Sequence, residues 1–213
     1  VYANNQKREW MMAAMAYVYW ITGLSGAGKT SVGKLLYEKM KQKYPNIVFL
    51  DGDVLREVFG NDLGYTREER IKCAMRYARL CRMLQEQGMN VICCTISMFD
   101  EIRSWNREHI ANYREIYVKV SMEELVRRNQ KGLYSASMEA LKKQNQKDLY
   151  STSAEDLPEQ NQKGLHRSTI ENKKVAGVHV EIEEPKNPDM ILDNEGNVSI
   201  AELVDRVIEK FGI

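Results

Sequence analysis

Eight residues near the start of the chain, GLSGAGKT at 23–30, restrict its fold more than any other feature. They fit the spacing G-x-x-x-x-G-K followed by Ser or Thr, a loop that cradles phosphate and works only between a strand and the start of a helix. Both flanks are present. Residues 17–22, YVYWIT, are a β-rich run without charge, and residues 30–43 place Val32, Leu35, Leu36 and Met40 on one side of a helix. Gly23, Gly26 and Gly28 let backbone N–H groups close around phosphate oxygens, so the whole run of Gly23, Leu24, Ser25, Gly26, Ala27, Gly28, Lys29, Thr30 and Ser31 is expected to bind ATP. Lys29 is expected to reach the β- and γ-phosphates, and Thr30 to ligate Mg²⁺.

A second strand, residues 47–50, runs into Asp51-Gly-Asp53 and then Arg56. In a parallel sheet this carboxyl end lies beside the phosphate loop. The expected roles are Asp53 as the base that accepts a proton from an attacking hydroxyl, Asp51 as its support, and Arg56 as a clamp on an anionic acceptor. Asp53 is also a candidate for holding Mg²⁺ through water.

Further strands are expected at 91–96, 115–120 and 190–192. Thr66 with Glu69 caps a long helix closed by Gly88, and Ser199 with Glu202 caps a last amphipathic helix reaching Phe211. Strands alternating with helices predict an α/β fold of the P-loop NTPase type, a five-stranded parallel sheet with helices on both faces. A chain of 213 residues suits one such domain, expected over 15–213. Residues 1–14 read as an extension of uncertain origin, because the chain opens with Val1 and Met11, Met12 or Met15 could each be a start.

Several function classes fall away. With 31 basic against 30 acidic side chains the formal charge is +1, which argues against broad adhesion to nucleic acid. The longest apolar stretch, residues 10–21, is too short to span a membrane, and signal-peptide cleavage there would release a chain beginning at the first core strand. Cys73, Cys81, Cys93 and Cys94 form no C-x-x-C pair, which fits a reducing cytoplasm. His109, His166 and His179 lack metal-ligand spacing. A GTPase reading fails because Asn145-Gln-Lys-Asp148 has its lysine one place late and the nearest switch string, at 193–196, comes after it.

Residues 121–168 divide into three copies of a 16-residue unit: SMEELVRRNQKGLYSA, SMEALKKQNQKDLYST and SAEDLPEQNQKGLHRS. Each supplies a turn or two of helix and then a polar turn, so they read as a surface insertion that enlarges a lid over 121–176.

With these residues in view, the chain resembles the adenylylsulfate (APS) kinase family, whose members phosphorylate the ribose 3′-hydroxyl of adenylylsulfate with MgATP. The matching pieces are GLSGAGKTS at 23–31, LDGD with Arg56, NDLGY at 61–65, Arg70, Arg76, TIS at 95–97, Arg103, Arg107, IYVKV at 116–120, KGLY at 131–134, Gly177, Glu183, Pro185 and NPD at 187–189. The resemblance implies that Arg56 and Arg70 grip the phosphate-bearing part of the acceptor, that Tyr65 stacks on its base, and that Ile96 and Ser97 line its pocket. Arg128 would lie in a lid near ATP, with Lys131, Gly132 and Leu133 approaching the acceptor. Lys163 in the third copy occupies a place equivalent to Lys131; the first copy is preferred because it alone keeps the Arg127-Arg128 pair. The family likeness also implies a homodimer.

The departures cluster where the family reads its acceptor. Val54 and Cys73 replace asparagines, Met98 replaces a proline, Asp100 stands where arginine is usual, and the segment that closes the adenine sandwich reads VAGVH at 175–179. A related branch phosphorylates cytidine diphosphoramidate in capsule decoration, and TISMF with Glu101, together with VAGVHVEIEEP at 175–185, is similar to it. The expected acceptor is adenylylsulfate, as the family's principal activity implies, with cytidine diphosphoramidate as the alternative and an ATP-binding interaction module without transfer as a third reading.

Overall fold

The computed structural model describes residues 16–128, 132, 134, 176–178 and 180–213. The N-terminal extension, the second and third repeat copies, and Lys131, Leu133, Lys163, Val175 and His179 lie outside the described residues.

The sheet begins with β1 (Val18–Thr22), every residue of which is buried. A strand covered on both faces must be apolar throughout, as a central parallel strand is. It pairs in parallel with β3 (Asn90–Thr95) on one side and β4 (Tyr113–Lys119) on the other, Val18 standing opposite both Val91 and Tyr113. With β2 (Ile47–Asp51) and β5 (Met190–Asp193) outside them, the order is β2-β3-β1-β4-β5, all parallel.

The alternation of β1 feeds two separate cores. Tyr19 and Ile21 join Val32, Leu36 and Met40 of α1 (Lys29–Lys41) and Leu203, Val204 and Val207 of α6 (Ile200–Phe211). Val18 and Trp20 turn the other way, against Ala74, Tyr77, Ala78 and Cys81 of α3 (Arg67–Glu86) and Ile102 of α4 (Asp100–His109). At about 1.5–3 kcal/mol for each large apolar side chain buried, these two layers dominate the stability of the sheet. The capping boxes expected at Thr66 and Ser199 are both formed, each closed by a glutamate three residues on.

Two short helices flank the site. Asp51 caps α2 (Gly52–Val58), and α5 (Met122–Arg128) lies in the first repeat copy. Of the family-like residues, Arg103, Arg107, Glu183 and Asp189 hold the frame. Buried Glu115, 2% exposed, lies 2.8 Å from Arg107 and 3.7 Å from Arg103. Burial pushes its carboxyl pKa up while the two guanidinium groups pull it down. Asp189 accepts the Glu115 N–H at 2.8 Å, and Glu183 accepts from Arg67 at 2.6 Å and from the first N–H of α4. All four cysteines are buried and free, in keeping with a role in packing. No helix among the described residues is long and apolar enough to cross a membrane.

Candidate functional site

The loop after β1 turns sharply because its glycines occupy conformations closed to other residues. A Cβ on Gly23 would come within 2.4 Å of the Val118 carbonyl oxygen, and Gly28 has φ +98° with the Asn194 amide 2.6 Å from where a Cβ would stand. Lys29 opens α1, is only 8% exposed, and donates from Nζ to the Leu24 carbonyl at 2.7 Å. Burial pushes its ammonium pKa down to about 8, against the opposing pull of Cys94, Asp53 and Asp51. The charge is therefore held in a place that favours a phosphate as partner.

Thr30 and the two carboxylates meet at the mouth of this loop. Thr30 Oγ1 donates to one oxygen of Asp51 at 2.7 Å, and the other oxygen accepts the Asp53 N–H at 2.9 Å. Asp51 is thus tied to both the loop and the first turn of α2, whereas the Asp53 carboxylate is exposed at the cleft. Gly52 lies between them because a Cβ there would press on the Cys94 carbonyl at 3.1 Å and the Thr95 hydroxyl at 3.2 Å.

From the phosphate loop a cleft of about 300 Å³ runs past Asp51 and Asp53 to Arg56, Tyr65, Arg70, Cys73, Tyr77 and Ile96. The Tyr65 ring carries two cations, Arg56 with its guanidinium carbon 4.5 Å from the ring centroid and Arg70 at 5.2 Å. Arg56 also donates to the carbonyls of Leu63 and Gly64, the latter at 3.1 Å, and Arg70 Nε donates to the Tyr65 carbonyl at 3.1 Å. Burial, and then the charge of Arg56, lowers the Arg70 pKa. Two cations this close suit a ligand with more than one negative charge.

Tyr77 is not singled out by the sequence, yet it lines the cleft together with Thr95 of the TIS piece. Tyr77 donates to the Gly52 carbonyl at 3.0 Å and accepts from the Cys73 thiol at 2.9 Å, so the turn between the two carboxylates is fixed from α3. The only sequence signal for Tyr77 is its one-turn spacing from Cys73 on a helix whose apolar face joins the core.

Four expectations need correction or restriction. Ser97 is fully buried and does not line the cleft, in contrast to its neighbour Ile96. Leu24 and Ala27 are buried under the loop, and the Ala27 N–H turns to the Leu24 carbonyl at 3.2 Å instead of towards the cleft. Gly23 packs beneath Val118 and takes no part in the cleft wall, while Ser25, Gly26, Gly28, Lys29, Thr30 and Ser31 do. Of the lid residues, Arg128 reaches the loop, donating to the Gly26 carbonyl at 3.3 Å, and Gly132 has φ +67°.

Comparison with known proteins agrees with this geometry. Residues 15–145 match the adenylylsulphate kinase family. The cytidine diphosphoramidate kinase of Campylobacter jejuni is 39% identical over 92% of this chain and 97% of its own length. A probable adenylyl-sulfate kinase of Aeropyrum pernix is 30% identical over 84% of each chain. Among solved structures, the Mycobacterium tuberculosis APS kinase in complex with AMPPNP and APS superposes with a TM-score of 0.72 at 26% identity, covering 93% of this chain and 98% of its own. A P-loop between β1 and α1, a carboxylate pair at the end of β2 and likeness along nearly the whole chain lead to one assignment: this protein is a kinase belonging to the adenylylsulphate kinase family.

Proposed function

We propose that the chain transfers the γ-phosphoryl group of ATP to a ribose hydroxyl of a nucleotide-activated acceptor, and that the acceptor is cytidine diphosphoramidate. The observation that carries the transfer is the single cleft in which the phosphate loop, the Asp51–Asp53 turn and the Arg56–Tyr65–Arg70 cluster follow one another. The acceptor choice is supported by the extent of likeness to the Campylobacter jejuni enzyme and by Val54 and Cys73, which stand where adenylylsulfate-reading members carry asparagines.

In this reading the amides of the loop and Lys29 hold the β- and γ-phosphates. Arg56 and Arg70 bind the acidic part of the acceptor, and Tyr65 and Ile96 place its nucleoside. Asp53 takes the proton from the acceptor hydroxyl as its oxygen bonds to the γ-phosphorus. The bond from that phosphorus to the β,γ-bridging oxygen breaks, and ADP leaves. The hard oxygens of Thr30 and Asp51, 2.7 Å apart beside the loop, fit Mg²⁺, directly or through water. When bound, such an ion would supply positive charge to offset that of the phosphates. Arg128 reaches the same loop and would lie over the nucleotide.

Adenylylsulfate is the second reading, favoured by the family match and by the likeness to a structure solved with that ligand. A coupled ADP-release assay with MgATP, offering each acceptor separately at equal concentration and using Lys29→Ala as the blank, tests both. Turnover with the cytidine compound is the expected result. Turnover with adenylylsulfate alone would overturn the acceptor assignment, and ATP binding without transfer to either would favour an interaction module.

A further inference from the structure

Four consecutive carbonyls of the nucleotide loop each accept a hydrogen bond from a different side chain. Lys29 donates to Leu24 O at 2.7 Å, Tyr134 to Ser25 O at 2.7 Å, Arg128 to Gly26 O at 3.3 Å and Asn194 to Ala27 O at 2.8 Å. Only Lys29 belongs to the phosphate-loop motif. The other three come from the first repeat copy and from the turn after β5.

These donors are themselves fixed. Asn194 is 5% exposed, its N–H donates to the Lys119 carbonyl at 2.9 Å, and its own carbonyl accepts from Arg128. Arg128 is held in turn by Glu124 at 2.8 Å. Tyr134 is fully buried, and its hydroxyl is supplied with the Ser25 carbonyl as acceptor.

A trans peptide sets the N–H of each residue opposite the carbonyl of the residue before it. No peptide among the described residues is cis. Anchoring the carbonyls of Ser25 and Ala27 from the buried side therefore turns the N–H groups of Gly26 and Gly28 the other way, and both of these residues line the cleft. The Ala27 N–H is the exception, since it closes the turn onto Leu24.

We propose that Tyr134 and Asn194 are positioning residues for ATP, holding the back of the loop so that its amides face the phosphates before the nucleotide arrives. The proposal rests on ATP being the donor. It also identifies which repeat copy serves the site. The places equivalent to Tyr134 are Tyr150 in the second copy and His166 in the third, and the contact to Ser25 belongs to the first.

Calorimetric titration of AMPPNP, a non-hydrolysable ATP analogue, into the full chain without acceptor tests this apart from acceptor identity. Tyr134→Phe and Asn194→Ala should each raise Kd by about three- to tenfold, the loss of one net hydrogen bond. Steady-state KM for the acceptor should stay unchanged, a split that general loosening of the fold would not produce. Tyr134→Phe keeps the buried ring and so remains readable if Asn194→Ala fails to fold. Tyr150→Phe should bind AMPPNP as the unaltered chain does. An unchanged Kd in Tyr134→Phe overturns the proposal, and a raised Kd in Tyr150→Phe instead overturns the assignment to the first copy. If neither acceptor is turned over while these Kd shifts appear, the acceptor reading fails and the positioning role stands.

Discussion

The two ends of the cleft are built from different material. At the proposed donor end the groups that line the cleft come from the glycine-rich backbone of the phosphate loop, Ser25, Gly26 and Gly28, joined by a single basic side chain, Lys29. At the acceptor end they are side chains carried by α2, the following loop, α3 and the end of β3: Arg56, Tyr65, Arg70, Cys73, Tyr77 and Ile96. Backbone groups cannot be exchanged by a point mutation, whereas each acceptor-side group can. One fold can therefore keep its phosphate donor and change its acceptor, as the two activities named among this chain's relatives illustrate.

That contrast can be broken most directly at Lys29. Lys29→Ala should lower turnover on the order of 10²–10³-fold with either acceptor, because it removes the charge that meets the transferring phosphate. A loss confined to one acceptor would show that the two ends are not separable. Arg56→Ala and Arg70→Ala should each lower kcat/KM for the acceptor by about 10- to 100-fold, the weight of a hydrogen bond to a charged group, and leave KM for ATP unchanged. A parallel rise in KM for ATP would place these guanidinium groups on the donor.

A smaller effect is expected at Tyr77, which touches the turn between the carboxylates. Tyr77→Phe should lower kcat by about three- to tenfold with both KM values nearly constant. The pH dependence sharpens the same point. Because burial brings the Lys29 pKa from 10.5 down to about 8, its neutral form accumulates above that pH in the free protein. The kcat/KM for ATP should thus fall as pH rises through about 8, while binding of the acceptor to the two arginines does not follow that limb. A profile flat to pH 9.5 would contradict it. The smallest effect concerns neither end: Ser199→Ala removes the cap of α6 and should cost about 0.5–2 kcal/mol in denaturant unfolding, with acceptor preference unaltered.

The donor end was legible in the sequence because its chemistry is a spacing rule. Three glycines, a lysine and a threonine between a strand and a helix leave little freedom, and β1, α1 and both capping boxes stand where their patterns put them. Even so, the spacing did not distinguish amides that face the cleft from those that close the turn, which is why Leu24 and Ala27 were grouped with the binding residues. The acceptor end was legible only in part. Arg56 follows from its place after the Asp51–Asp53 pair, and Tyr65 and Arg70 from the family likeness, but Tyr77 reads as an ordinary core aromatic until its hydroxyl is seen on Gly52. Ser97 shows the reverse error, a polar residue beside a site that turns into the protein interior. Arg103, Arg107 and Asp189 are similar in kind: they match the family, and their work is to hold Glu115 and β4. The contacts of Tyr134 and Asn194 join residues far apart in the chain, so no local pattern announces them.

The position of β1 in the sheet also bears on how the protein is made. Both of its neighbours, β3 and β4, come later in the chain, and β5 later still. During synthesis the strand that leads into the nucleotide loop leaves the ribosome before either of its neighbours, uncharged and without partners, and must wait for them to follow. Until β4 arrives, the Val118 carbonyl that packs on Gly23 is missing, and until Asn194 arrives the Ala27 carbonyl has no donor. The phosphate loop is thus translated ahead of the parts that complete it, and a nascent chain stalled before β5 should not yet retain ATP.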